Sequence, residues 1–231
     1  MMRKSPMKQE SRQTISGADF EDYFQPQKLD KALELKAEYG DQIEVAAGST
    51  DLLVANYEKL HEIKYWLDLV KLDQLKKIEV KENKLHIGAM VSHLELMKSD
   101  LIKEKLAVLA AAAEDVGSPQ IRSRGTIGGN ICTSSPAGDL LAPLLSYEAD
   151  FKLESAAGER IVKADDFFTG PKRNLMEADE LLTEIIIPLT ENEREGAWIK
   201  VGRRKALVIS TLTLSVVLEF EAEKIVKAGI A

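Results

Sequence analysis

The sequence predicts an α+β fold, and three observations carry that expectation. Residues 29–69 alternate helical stretches with short apolar runs, the pattern of βα units. Later runs at 150–154, 182–187, 198–201 and 211–220 read as strands joined by turns, with few helices long enough to act as crossovers. Glu82-Asn83 sits between two strand-like runs and marks an antiparallel hairpin. A doubly wound sheet fits poorly, because every parallel step needs a crossover that the second half lacks.

Residues 1–18 are polar and without periodicity, and read as a mobile extension. Leu29, Ala32, Leu33, Leu35, Ala37 and Tyr39 suit an amphipathic helix stopped by Gly40. Ile43–Ala47 reads as a buried strand emptying into the turn Gly48-Ser49-Thr50-Asp51. An irregular or helical stretch then leads to a strand at 65–69 and to the hairpin arms 78–81 and 84–87. Ser92 is placed to cap a helix over 93–98, and a longer helix is expected over 103–115. The segment 124–139 reads as a polar, glycine-rich loop, followed by a helical stretch at 140–146. Residues 150–154 form a strand turning at Ala157-Gly158, Pro188 stops the apolar strand 182–187, and 190–196 reads as a loop.

Composition removes several classes of function. The 231 residues include 31 Lys plus Arg against 38 Asp plus Glu, a net charge of −7 that gives no footing for nucleic acid. One cysteine and three histidines exclude an intrachain disulfide, an iron–sulfur cluster or a thiolate zinc site, so no metal-binding residue is expected. No apolar stretch reaches the length of a membrane span, and no secretory h-region opens the chain; a cytoplasmic location is the expectation. Redox chemistry here needs an organic cofactor or partner proteins.

Two turns carry the candidate chemistry. Gly48 admits positive φ and close approach of a ligand, with Ser49, Thr50 and Asp51 adding polar groups; a plain strand-to-helix turn capped by Thr50 or Asp51 accounts for the same residues. In the longer run Gly125–Asp139, Gly128 and Gly129 offer bare N–H groups to a diphosphate, Asn130, Thr133 and Ser134 add neutral donors, and Asp139 suits a ribose or ribityl hydroxyl. A self-satisfied irregular loop is the other reading of that run. Cys132, His86 and His93 read as packing or surface residues. Lys200, Arg203, Arg204 and Lys205 form the strong basic run, with Lys200 best placed to meet an anion.

The AAGSTDLL turn, the run QIRSRGTIGGNICTSSPAGDLLAPLL, and ELLTEIIIP followed by WIKVGRRKAL resemble the FAD-binding (medium) subunits of molybdenum hydroxylases of the xanthine dehydrogenase and carbon monoxide dehydrogenase type. The resemblance implies a two-part FAD-binding fold of the vanillyl-alcohol oxidase type, followed by an incomplete C-terminal α+β domain. Boundaries are expected at 19–76 and 77–190 for the two FAD-binding parts and 191–231 for the start of a truncated third. It implies FAD contacts from Ala46, Ala47, Gly48, Ser49, Thr50, Asp51 and Leu52, and from Gly125, Thr126, Gly128, Gly129, Asn130, Thr133 and Asp139. Val116 falls on an adenine-side position, and Leu182 and Lys200 on positions near the isoalloxazine ring.

The implied role is electron transfer from an iron–sulfur subunit, beside a molybdopterin subunit, through FAD to NAD+ or another acceptor. No residue is expected to act as an acid–base catalyst. The chain departs from the family at Ser49, where relatives carry a second glycine, and this departure is harmless if φ there is negative. It also departs in the stretch after Arg204. Ser49 and the short C-terminus motivate the rival reading, a degenerate scaffold subunit that binds no flavin and serves complex assembly.

Overall fold

A computed structural model describes residues 21–57, 64–203 and 209–231. The expected N-terminal extension and the basic residues Arg204 and Lys205 lie outside these ranges.

The first unit is a parallel sheet built by helical crossovers. Strand β1 (Asp22–Phe24) leads to helix α1 (Leu29–Tyr39), strand β2 (Ile43–Ala46), helix α2 (Leu52–Tyr57) and strand β3 (Tyr65–Asp68). The sheet order is β1-β3-β2, both pairings parallel, so β2 is an edge strand. Leu29, Ala32 and Leu33 put the apolar stripe of α1 against Ile43, Leu67, Leu69, Leu72 and Leu75. Gly40 ends the helix with φ of 52°, a conformation that costs glycine little.

The second unit is antiparallel and holds the largest core. Strands β4 (Ile78–Lys81) and β5 (Lys84–Gly88) form the expected hairpin; Glu82 and Asn83 have φ of 49° and 56°, as a twisted two-residue turn demands. Six short helices follow: α3 (His93–Lys98), α4 (Asp100–Lys105), α5 (Ala107–Glu114), α6 (Pro119–Arg124), α7 (Ile127–Thr133) and α8 (Leu141–Ser146). Then come β6 (Asp150–Ser155), β7 (Gly158–Lys163), the turn of helix α9 (Ala164–Phe167), the small pair β8 (Phe168–Gly170) and β9 (Arg173–Asn174), and β10 (Leu181–Pro188). The sheet order is β4-β5-β10-β6-β7. The near-continuous apolar run of β10 takes the central place, where both faces are covered.

Strands β11 (Glu193–Val201), β12 (Leu212–Glu221) and β13 (Lys224–Ile230) form a third, antiparallel sheet in that order. It packs on α5 and α8 through bare backbone: a Cβ on Gly196 would sit 2.6 Å from Val108 Cγ2, and one on Gly229 2.0 Å from Ser146 O. Ser146 and Ser215 hydroxyls meet at 2.5 Å in the same buried seam.

Several local expectations need correction. The helix expected over 103–115 is broken at the fully buried Leu106 (φ −138°, ψ 53°), which fits its side chain into the core and divides α4 from α5. Ser118-Pro119 starts a further helix, α6; Ser118 Oγ accepts from Ile121 N–H, and Pro119 occupies the first turn. The polar run 124–139 is not all loop, since residues 127–133 form α7. Strand β11 begins at Glu193, inside the stretch read as a loop. Arg194 pairs there with Glu219 across the ladder at 2.6 Å, a tertiary contact that no local pattern announces. Strands β1 and β13 were not expected at all: one is three residues long, the other mostly exposed.

Candidate functional site

A cavity of about 980 Å³ lies where the outer edge of β2, the turn after it, helix α7 and the segment before β10 converge. Its placement follows from strand pairing. Leu69 N–H donates to Ala46 O at 2.9 Å, so Ala46 directs its peptide groups at β3. Parallel pairing alternates, so Val45 and Ala47 turn theirs outward, to the cavity they line.

The turn after β2 is held by the glycine it was read for, but for another reason. A Cβ on Gly48 would lie 2.1 Å from Arg124 O and 2.7 Å from Gly125 Cα, so this residue lets two backbones touch rather than supplying positive φ. The positive φ belongs to Ser49, at 59°. The departure at this position is therefore not neutral, since a side chain in this region costs about 1–2 kcal/mol. Among the described residues, the N–H groups of Gly48, Ser49, Thr50, Asp51 and Leu52 have no protein acceptor, whereas Leu53 and Ala55 donate to Ser49 O and Asp51 O.

Helix α7 behaves in the opposite way. Ile127 N–H donates to Val91 O, Gly128 N–H to Ala89 O, and Gly129 N–H to Thr126 Oγ1 at 3.1 Å. The adjacent glycine amides read as diphosphate donors are thus engaged within the protein. Gly128 is needed because a Cβ would lie 2.7 Å from Ala89 Cβ and O. Gly129 is open: an added Cβ would meet Thr126 Oγ1 at 3.0 Å and nothing else within 4 Å outside its own helix. The space beside it belongs to the cavity. Ser134 points inward instead of serving as a donor there: it is buried, left-handed, bonded to Ile131 O, and caps α7. Thr133 Oγ1 donates to Gly129 O at 2.8 Å and approaches Asp51 Oδ2 at 3.4 Å, linking the two turns.

Of the residues singled out in the sequence, Ala47 through Leu52, Val116, Gly125, Thr126, Gly128, Gly129, Asn130, Thr133, Asp139 and Leu182 all line this one cavity. Ala46 does not; its backbone faces β3 and it is 4% exposed. Lys200 does not either. Its Nζ donates to Asp139 Oδ2 at 2.7 Å and to Asp115 O at 3.0 Å, so it stands with Asp139 and the neighbour of Val116. Asp139 has no basic residue close to it in sequence, and its partner is a lysine 61 positions away. Burial still holds the Asp139 carboxyl above the ordinary range, outweighing the Lys200 hydrogen bond and charge, and its Oδ1 has no partner.

Cys132 packs 3.6 Å from Met176 Sδ, and burial pushes its thiol up to about 12, in keeping with an inert packing role. His93, also read as packing, does pack, against Gly125, and lines the cavity too. Burial and Arg122 lower its imidazole to about 4. Lys36 was missed. It continues the buried stripe Leu29, Ala32, Leu33 of α1, is 9% exposed, and lines the cavity. A lysine on an apolar stripe was the available signal. No cluster of metal-ligating side chains occurs among the described residues.

The cradle fits an extended dinucleotide. Free turn amides and the open flank of Gly129 suit a diphosphate, the unpartnered Asn130 Oδ1 and Asp139 Oδ1 leave acceptors over, and Leu69, Met90, Leu181 and Leu182 offer apolar walls for a ring.

Residues 17–190 match the family model described as FAD binding domain in molybdopterin dehydrogenase. The chain is 39% identical over 198 residues to the nicotinate dehydrogenase FAD-subunit of Eubacterium barkeri, covering 84% of this chain and 67% of that one. It is 33% identical over 196 residues to the xanthine dehydrogenase FAD-binding subunit of Escherichia coli O157:H7, with the same two coverages. Against the solved carbon monoxide dehydrogenase of Hydrogenophaga pseudoflava the TM-score is 0.88 at 30% identity, over 93% of this chain and 74% of that one. The chain spans 62–67% of the length of such curated relatives. With its mixed helix and sheet content and its two facing turns, the chain belongs to the family of FAD-binding domains of molybdopterin dehydrogenases.

Proposed function

We propose that this chain is the FAD-binding electron-transfer subunit of a molybdopterin-dependent dehydrogenase or hydroxylase complex. In this reading it takes electrons from an iron–sulfur partner and passes them from FAD to NAD+ or another acceptor, in the cytoplasm. The single observation that carries it is the set of unpaired amides at Gly48–Leu52 facing the open flank of Gly129 across one cavity. Those amides hold the diphosphate; the engaged amides of α7 do not, and that helix contributes room and rigidity instead. Asp139, fixed by Lys200, accepts from a sugar hydroxyl at the Val116 end. Leu182 and its apolar neighbours exclude water from the ring. When bound, FAD supplies two-electron redox chemistry that no side chain here possesses.

The fold is read as the two-part vanillyl-alcohol oxidase type, with residues 19–76 and 77–190 as the two parts and 191–231 as a third, a division supported by the three larger sheets, one in each part. Purified protein is expected to retain or take up about one FAD per chain by absorbance. A colourless protein that refuses added FAD overturns the reading and favours a scaffold. Gly129→Asp fills the open flank with a carboxylate and is expected to weaken FAD binding at least tenfold, about 1.4 kcal/mol, with the far-UV spectrum unchanged. Equal FAD occupancy in that variant rejects the diphosphate placement.

A further inference from the structure

We infer that Lys36 is a cofactor-contacting cation, donating from Nζ to the pyrimidine edge of the isoalloxazine ring and favouring the reduced anion over the oxidised ring. The inference rests on the reading of this cavity as an FAD site.

Lys36 is a buried ammonium with little to hold it. Its Nζ makes one hydrogen bond, to Gly40 O at 2.9 Å, and no ion pair among the described residues. An ammonium has three donors, so hydrogen-bonding capacity remains in a wall of the cavity. Asp41, Glu44, Asp179 and the Cys132 thiol act on it from the elements around, and burial nonetheless pushes its pKa below the usual lysine value. A buried cation that makes no ion pair is costly unless something compensates it. A carbonyl or anion entering the cavity supplies that compensation.

The position within the cavity selects which part of the cofactor this is. Lys36 and Gly40 close the C-terminus of α1, and a Cβ on Gly40 would reach Ala178 Cβ at 3.9 Å. Lys36 therefore stands at the end of the cavity formed by the segment leading into Leu181 and Leu182, away from the Val116, Asp139 and Lys200 end. Beside Lys36 runs the outward edge of β2, whose unpaired Val45 and Ala47 peptide groups complement the alternating N–H and C=O groups of a pyrimidine edge. Addition of two electrons to the ring, with one proton at N5, leaves one negative charge on the N1–C2=O side. A fixed ammonium there binds the reduced form more tightly than the oxidised form.

Lys36→Gln tests this, because glutamine keeps a donor for Gly40 O and removes the charge; Lys36→Arg keeps the charge. Dithionite titration against redox dyes reads the midpoint potential, and FAD titration reads the affinity for the oxidised cofactor. Lys36→Gln is expected to lose about tenfold of its preference for reduced over oxidised FAD, a fall of about 30 mV for a two-electron couple. Lys36→Arg is expected to stay within threefold of the parent. FAD bound by Lys36→Gln with an unchanged potential overturns the inference and leaves the FAD site intact. Parent protein that binds no FAD overturns both. Should Lys36→Gln fail to fold, the parent decides alone: a bound potential above that of free FAD supports the assignment, and one below it overturns the assignment.

Discussion

Ser49 and Gly48 show two different uses of a turn, and only one of them needs a glycine. At Gly48 the demand is space, with Arg124 O where a Cβ would stand; at Ser49 it is a positive φ that a serine endures. The two substitutions are therefore expected to act in opposite directions. Gly48→Ala forces the two turns apart and is expected to cost about 1–3 kcal/mol in urea unfolding, with weaker FAD retention. Ser49→Gly relieves the strained backbone and is expected to raise stability by about 0.5–1 kcal/mol. If both variants destabilise, the strain attributed to Ser49 is absent.

At the scale of elements, α3 and α7 are set by sharply different signals. The Ser92–Glu95 capping box fixes the start of α3 from sequence alone, with Glu95 N–H to Ser92 Oγ at 3.2 Å and Ser92 N–H to Glu95 Oε2 at 2.8 Å. Helix α7 has no apolar stripe to announce it; Thr126 caps it, and Ala89 and Val91 carbonyls from the β5–α3 connection take its first amides. His93 joins the two, donating its N–H to Gly125 O at 3.0 Å while its ring packs on that glycine. Because the folded imidazole titrates near 4 rather than at its ordinary 6.5, the unfolded chain binds the extra proton between those values. The stability contributed is complete above pH 6.5 and is lost as pH falls toward 4, by up to about 3 kcal/mol. His93→Phe, which cannot take up that proton, is expected to flatten this slope in urea unfolding measured at pH 4.5 and pH 7. An unchanged slope assigns the acid sensitivity to another group.

Across the whole molecule, the third sheet reaches the cavity only indirectly. Trp198 Nε1 donates to Asp115 Oδ2 at 2.8 Å and Lys200 to Asp115 O and Asp139, so β11 clasps the end of α5 and fixes one end of the site. At its far side the sheet rests on α8 through Gly229. Gly229→Ala places a methyl group against Ser146 O and is expected to destabilise by about 1–3 kcal/mol. The loosening is expected to show as faster hydrogen exchange in β12 and β13, with protection in β10 unchanged. Uniform loss of protection across the three larger sheets, in contrast, makes the third sheet part of one cooperative unit.

What the sequence by itself determined was local and repetitive: the apolar stripe of α1, the Glu82-Asn83 hairpin, the capping box at Ser92, the apolar β10, and the two turns that line one cavity. Each is legible because backbone geometry and near-neighbour side chains suffice to specify it. Tertiary structure decided which groups in those turns are free. Whether Gly128 and Gly129 amides are available depends on Ala89 O and on Thr126 turning back. Whether Asp139 is alone depends on a lysine 61 residues later. A hydrogen bond is satisfied by whatever lies within about 3 Å, and separation along the chain says nothing about that distance. Lys36 lies between these cases: its place on the buried stripe is written in the sequence, and the cavity it faces is made only when β2, α7 and the approach to β10 come together.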